Sequence, residues 1–297
     1  VDQDWLDQRR ADRRAERRVR QQRRRRRLAA AGVAGAVTAA VVVAVVTAGS
    51  GGASGGSAKI STTRSSVQRA ARQAKAVGLP PIPAARPGPG HVIERGPATR
   101  REVAITFDDG FCPACVRRII SYLVHSGDPA TIFPNGTYGT AWEPVAPQIR
   151  RLVARGQLTV GNHTFNHVNA PQVGTDAFSA DLARNERWIE KTFGITGRPY
   201  FRPPYGAYVS STVAAAGALG YTKTIMWSGT LADSSPQTVP YLIRAIKFWA
   251  KPGAIILCHG NYPNTSKALA KIFAVVRAKH LRPVTLGKLL GGAPYRS

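Results

Sequence analysis

Seven short apolar runs rich in Val, Ile, Thr and Phe alternate with segments of helical period between residues 103 and 286. That alternation limits the fold more than any other feature of the chain. The runs are VAITF (103–107), ATIFP (130–134), LTVGN (158–162), YFRPP (200–204), TKTIMW (222–227), AIILCHG (254–260) and RPVTL (282–286). The clearest helical segment is TDAFSADLARNERWIEKTFG, where Phe178, Leu182, Ile189 and Phe193 share one face. Thr175 or Asp176 caps its start and Gly194 ends it. About seven strand–helix units predict a parallel α/β domain over residues 100–297, either an open sheet or a barrel. That length holds a substantial core.

In both architectures ligands bind at the C-terminal ends of the strands. Asp108 and Asp109 follow the first run and His163 and His167 the third. Arg202 ends the fourth, Trp227 the fifth and His259 the sixth. Reactive or binding groups from five runs thus fall on one sheet edge. The spacing of the two histidines fits neighbours on a helical turn, which alone also describes an exposed helix face. A carboxylate from TFDDG changes the reading. Two His and one Asp leave positions open on Zn²⁺ for water and substrate, the arrangement of a hydrolytic site. Adjacent aspartates that point inward repel unless a cation lies between them.

TFDDG, HTFNH, RPPYG and LCH, in this order, resemble the motifs of the NodB-like polysaccharide deacetylases, carbohydrate esterase family four. The resemblance covers about residues 100–290 and implies a distorted (β/α) barrel. It further implies that Asp109, His163 and His167 hold a divalent metal, most often zinc. Asp108 would be the general base toward the metal-bound water that attacks an N-acetyl carbonyl. Arg202 would hold Asp108, the Tyr205 backbone N–H would stabilise the oxyanion, and His259 would protonate the departing amine. Leu257 would line the pocket of the acetyl methyl, with Trp227 a further substrate contact. The family usually carries Asp-x-x-Asp-Trp after the fifth strand, where this chain reads WSGTLADSS. Direct alignment sets Thr230 at the first acid, Asp233 at the second and Ser234 at the Trp. A neutral Thr cannot raise the pKa of His259. A loop shift would let Asp233 do so, and loss of the Trp predicts a more open acetyl pocket.

The N-terminal third reads differently. Residues 1–27 carry 12 Arg against 5 acids, the composition of a solvated tail. Such a tail suits nucleic acid, but the next segment argues against that partner. Residues 28–48 (LAAAGVAGAVTAAVVVAVVTA) contain no charge, and as a helix at ~1.5 Å per residue would span about 31 Å, the thickness of a bilayer core. Arginines on its N-terminal side orient that end to the cytoplasm, so the segment reads as a transmembrane signal anchor. A secreted chain after signal cleavage is the alternative. Residues 49–99, rich in Gly and Ser and then in Pro, read as a linker with a short helix over 64–77. The expected protein is thus membrane-tethered, with an extracytoplasmic domain acting on an N-acetylated glycan such as peptidoglycan or a chitin-like oligomer. From 100 to 297 there are 23 Lys and Arg against 10 acids, which favours an anionic wall surface. Cys112 and Cys115 form a local disulfide or stay reduced; Cys258 reads as a buried free thiol. The rival to an enzyme is a glycan-binding protein with impaired turnover, suggested by WSGTLADSS.

Overall fold

The computed structural model describes residues 56–291. The Arg-rich tail (1–27) and the apolar segment expected to anchor the chain (28–48) lie outside them. Among the described residues no helix is long and apolar enough to cross a membrane.

All seven apolar runs contain strands. They are β2 (Glu102–Asp109), β3 (Ala130–Pro134), β4 (Leu158–Val160), β5 (Tyr200–Phe201), β6 (Lys223–Ile225), β8 (Ile255–His259) and β9 (Arg282–Val284). Two more were not expected, β1 (His91–Ile93) and β7 (Gly229–Thr230). The main helices are α1 (Gly56–Ala76), α2 (Pro113–Ser126), α3 (Ala146–Ala154), α4 (Thr175–Phe193), α5 (Ser210–Ala218), α6 (Val239–Trp249), α7 (Leu269–Ala278) and the short α8 (Leu286–Leu289).

Every named ladder is parallel. One sheet runs β4-β3-β2-β8-β7 and a second β1-β6-β5. Ala104 pairs with both Ile255 and Val284, so β9 lies on the β3 side of β2, at its starting end. An isolated bridge from Asn162 to Phe201 joins the β4 end to β5. The expected barrel is therefore a parallel α/β body with its strands divided between two sheets.

The alternation of β2 builds two layers. Val103, Ile105 and Phe107 pack with Ile119, Ile149, Ile256 and Ile272 in the largest apolar cluster, which includes residues of α2, α3, α6 and α7. Ala104 faces the opposite way, with Ile255, Val284, Tyr200 and Ile225. Thr106 and Asp108 continue that second face, so the strand interior leads directly to the acid.

Helix α4 keeps the expected apolar face, since Phe178, Leu182, Ile189 and Phe193 are all buried. Its C-cap is Gly194 in the left-handed region, but its N-cap is Gly174, one residue before Thr175. The reason is that Gly174 (φ 80) turns the chain into the helix, which leaves Thr175 as its first residue.

The expected linker differs most from what is observed. From Ala70 onward it lies on the domain: Ala70, Ala74 and Leu79 are buried, and β1 pairs with β6 from His91↔Lys223 to Ile93↔Ile225. A side chain at Gly194 would strike the backbone of Ala70, and one at Gly217 would strike Gly88. Small residues on both sides let the end of α1 pack closely at the C-cap of α4, and let the extended Pro/Gly stretch around Gly88 lie against α5. The ordered body begins well before residue 100, and over 70–99 the segment is a strap rather than a free tether.

Candidate active site

Strand β2 ends in two adjacent carboxylates. An extended strand would send them to opposite faces, but Asp109 has φ 67 and Gly110 φ 106, which turns the chain at that point. Gly110 is required twice over, because a side chain there would also collide with the Trp142 indole. That indole donates to the Asp109 carbonyl at 2.8 Å and pins the turn.

Asp109, His163 and His167 converge, with one donor atom of each lying within 4.8 Å of the others. Asp109 Oδ1 is 3.4 Å from His163 Nε2 and 3.2 Å from His167 Nε2. The same oxygen is buried and has no hydrogen-bond partner among the described residues. A buried carboxylate oxygen left facing two imidazoles fits a cation. His163 Nδ1 contacts the Arg202 carbonyl at 2.7 Å and so must donate, which leaves Nε2 as the lone-pair nitrogen aimed at the cluster. Burial would raise the Asp109 carboxyl, but His163 and His167 beside it hold it well below the usual range. Burial pushes the His167 imidazole down to about 4, against the pull of Asp109. An ionised acid and a neutral imidazole are the states a cation needs. Burial disfavours a charged His163, yet Asp108 and Asp109 draw its pKa up. The two carboxylates call for positive charge at this point, which a cation held by these residues would supply.

The histidines are not on a helical turn. Residues 162–167 form an irregular loop in which Thr164 (φ 62) and His167 (φ 55) are left-handed. Buried polar side chains hold it there. Asn135 Nδ2 donates to the His163 and Thr164 carbonyls at 2.6 and 2.8 Å. Asp181 of α4 accepts from the Phe165 and Asn166 amides, each at 2.9 Å. Asn185, one turn further along α4, donates to Asn162 Oδ1 at 2.8 Å.

Arg202 is fully buried and donates to Asp108 Oδ1 at 2.7 Å and to Thr106 Oγ1 at 2.7 Å. It lies 4.3 Å from the Phe133 ring centroid and 5.9 Å from that of Trp227. The other oxygen, Asp108 Oδ2, is 3.7 Å from His163 Nε2, so the clamped acid borders the cation cluster.

On β8, Leu257 pairs beside Thr106 and His259 beside Asp108, while Cys258 points the other way into the apolar layer as a free, buried thiol. His259 Nδ1 donates to Asp233 Oδ1 at 2.9 Å. Asp233 Oδ2 accepts from the His259 amide at 3.1 Å and from Thr265 Oγ1 at 2.6 Å. Burial would lower the His259 pKa, but the Asp233 carboxylate, helped by Asp109 and Asp108, raises it to about 9. Asp233, which direct alignment sets at the second acid of the family motif, is therefore the acid beside His259. The neutral Thr230 at the first thus does not leave the imidazole without a carboxylate. The left-handed Ala232 (φ 54), whose amide donates to Thr230 Oγ1 at 2.9 Å, turns the chain and delivers Asp233.

Tyr205 is also left-handed (φ 62), and its exposed ring stands 4.4 Å from that of His167. Trp227 is half-buried and lies against Gly206. Asn261 had no sequence signal: its amide donates to Asp109 Oδ2 at 2.7 Å and its carbonyl accepts from the Gly110 amide at 3.2 Å. Cys112 and Cys115 form a disulfide at the start of α2, settling the alternative left open by the sequence.

A clamped carboxylate beside a cation cluster and an acid-tuned imidazole at the paired position of the neighbouring strand can serve as base and acid, the arrangement that metal-assisted hydrolysis uses. The polysaccharide deacetylase profile matches residues 95–224. A peptidoglycan-N-acetylglucosamine deacetylase of Bacillus cereus is 30% identical over 207 residues, covering 68% of this chain and 93% of that protein. A chitooligosaccharide deacetylase of Bradyrhizobium sp. is 31% identical over 163 residues, covering 55% of this chain and 72% of that protein. The chain belongs to the NodB-like polysaccharide deacetylase family. Its fold matches the crystal structure of a peptidoglycan N-acetylglucosamine deacetylase with TM-score 0.62 at 25% identity, over 69% of this chain and 95% of that one. A family pseudoenzyme from Bacillus anthracis matches with TM-score 0.61 at 25% identity, over 67% and 68%.

Proposed function

We propose that the chain removes N-acetyl groups from an N-acetylglucosamine-containing wall glycan, with a divalent metal, zinc by the chemistry of its donors, at Asp109, His163 and His167. The observation that carries this is the buried Asp109 Oδ1, which faces both imidazoles without a hydrogen-bond partner among the described residues. When bound, the metal supplies Lewis acidity toward the amide carbonyl and lowers the pKa of water. The chain's own residues do the rest. Asp108, fixed by Arg202, accepts the proton of the attacking water. His259, kept protonated by the Asp233 carboxylate beside it, gives a proton to the departing amine. The Tyr205 amide, on its left-handed turn beside His167, is the oxyanion donor. Leu257 and Trp227 bound the space for the acetyl methyl.

The disulfide and a glycan substrate both favour an extracytoplasmic domain, tethered through residues 28–48 or released after cleavage. Nucleic acid has no part in this reading. The test is acetate release from N-acetylglucosamine oligomers by the zinc-loaded chain, with Asp108→Asn as control. Release that the substitution abolishes is expected; glycan binding without release from any oligomer would establish the impaired binder instead. That second reading is favoured by Ser234, which stands where the family carries Trp, and by the pseudoenzyme among the structural relatives. The Asp233–His259 pair argues against it, because the acid that tunes the imidazole is in place.

A further inference from the structure

The exposed Phe111 and the CPAC disulfide beside it have no part in the chemistry above. Phe111 follows Gly110 directly and is 44% exposed, high for a large apolar side chain so close to a buried polar cluster. It is not an isolated surface residue. Tyr262 meets its ring edge-on, with centroids 5.5 Å apart and planes at 90°, and Tyr138 meets it at 6.0 Å and 61°. Edge-to-face neighbours brace an aromatic ring without stacking flat on it, and much of the Phe111 ring remains exposed.

The three rings come from three different loops at the C-terminal ends of β2, β3 and β8. Each loop is tied to a residue of the cation cluster. Phe111 is two residues from Asp109. Tyr138 follows Asn135, whose amide holds the His163 carbonyl at 2.6 Å. Tyr262 follows Asn261, which holds Asp109 Oδ2 at 2.7 Å. Immediately after Phe111, the disulfide closes the chain onto the first turn of α2, with Cα atoms 5.2 Å apart. An exposed ring on a loop so constrained loses little freedom when a ligand covers it.

We infer that Phe111, braced by Tyr138 and Tyr262, is a stacking platform for a pyranose ring of the glycan, next to the sugar that presents its acetyl group at the cluster. The occupant follows from continuity with the site. A polymer that enters the cluster with one sugar must lay its neighbours along the loops around it, and the apolar face of a pyranose matches an open aromatic face. The platform rests on the deacetylase reading for its substrate class, but its test does not require turnover.

The test measures binding of an N-acetylglucosamine tetramer to the full chain carrying Asp108→Asn, by calorimetry, with added Phe111→Leu or Phe111→Tyr. Leu keeps an apolar side chain but removes the ring. It is expected to weaken binding about five- to tenfold, while Tyr stays within twofold of the parent. In chains with Asp108 intact, Phe111→Leu is expected to raise KM for the tetramer by a similar factor with a much smaller change in kcat. Zinc affinity, measured by chelator competition, reports whether the Asp109 turn is still formed. If the Leu variant binds zinc and the tetramer as tightly as the parent, the platform is refuted, even where acetate release upholds the deacetylase. If the parent binds no tetramer, the platform is refuted as well. If the parent binds through Phe111 but no chain releases acetate, the platform stands and the enzymatic reading fails.

Discussion

At the scale of single residues, the site works by giving each titrating group one fixed partner. The His259 imidazole owes its raised pKa, about 9, chiefly to Asp233, since burial alone acts in the opposite direction. A cation bound at the cluster would offset the help from Asp108 and Asp109, which leaves Asp233 as the main support. A general acid is active while protonated, so the rate falls as pH rises through its pKa. Asp233→Asn should therefore move the alkaline fall in kcat/KM to lower pH, by about one to three pH units; a pH–rate profile checks this, and an unmoved alkaline limb would remove His259 from the acid role. Asn261 acts on the other side by occupying Asp109 Oδ2, so that Oδ1 alone is aimed at the imidazoles. Asn261→Ala should weaken zinc binding on the order of 10–100-fold, read by chelator competition without any substrate. Arg202 carries the structural risk, because it and Asp108 are both buried. Arg202→Met would strand a carboxylate and should cost about 3–5 kcal/mol in urea unfolding.

At the scale of elements, β2, β3 and β8 could be read in the sequence because each is a run rich in apolar residues and buried nearly throughout. The shorter strands could be read because Val, Ile, Thr or aromatic residues cluster in their runs. β1 and β7 could not, since one lies in a Pro/Gly-rich stretch and the other spans two residues, Gly229 and Thr230. The residue types of the site were legible for the same reason as the strands: each stands where a strand ends. How the residues meet was not. The convergence of His163 with His167 depends on left-handed Thr164 and His167, and the delivery of Asp233 depends on left-handed Ala232. None of these is glycine, so no residue type marks the turn; buried partners on distant elements impose it. Helix α4 is the chief of these for the histidine loop. Its apolar face was read from periodicity, whereas Asp181 and Asn185, which grip the loop, look like ordinary polar helix residues. Asp181→Ala would release the Phe165 and Asn166 amides, which Asp181 now holds at 2.9 Å. The expected result is a loss of about 1–3 kcal/mol in stability together with weaker zinc binding. A variant that loses stability but binds zinc as before would show that the loop is set by other contacts.

At the scale of the whole molecule, the strap over residues 70–99 connects the outside of the fold to the site. Ala74 and Leu79 are part of the largest apolar cluster, and β1 covers the edge of β6. The Met226 amide donates to the Ile93 carbonyl at 2.8 Å, and the Met226 carbonyl accepts from Arg202 Nη2 at 3.3 Å. The strap thus backs the segment that helps seat the arginine holding Asp108. A chain starting at residue 100 would expose the β6 edge and the sites of Ala74 and Leu79, and would leave Met226 supported from one side. Compared with a chain starting at residue 56, it should lose on the order of 3 kcal/mol from the apolar area alone. Because an unpaired β6 lets Met226 drift, the truncated chain should also lose more deacetylase activity than zinc affinity, since Arg202 seats the base rather than the metal ligands. Urea unfolding, chelator competition and acetate release on the two chains separate these effects. Equal unfolding midpoints would mean that residues 56–99 only lie on the domain. A lower midpoint with activity and zinc affinity falling in step would mean that the strap supports the fold as a whole and not the seat of Arg202.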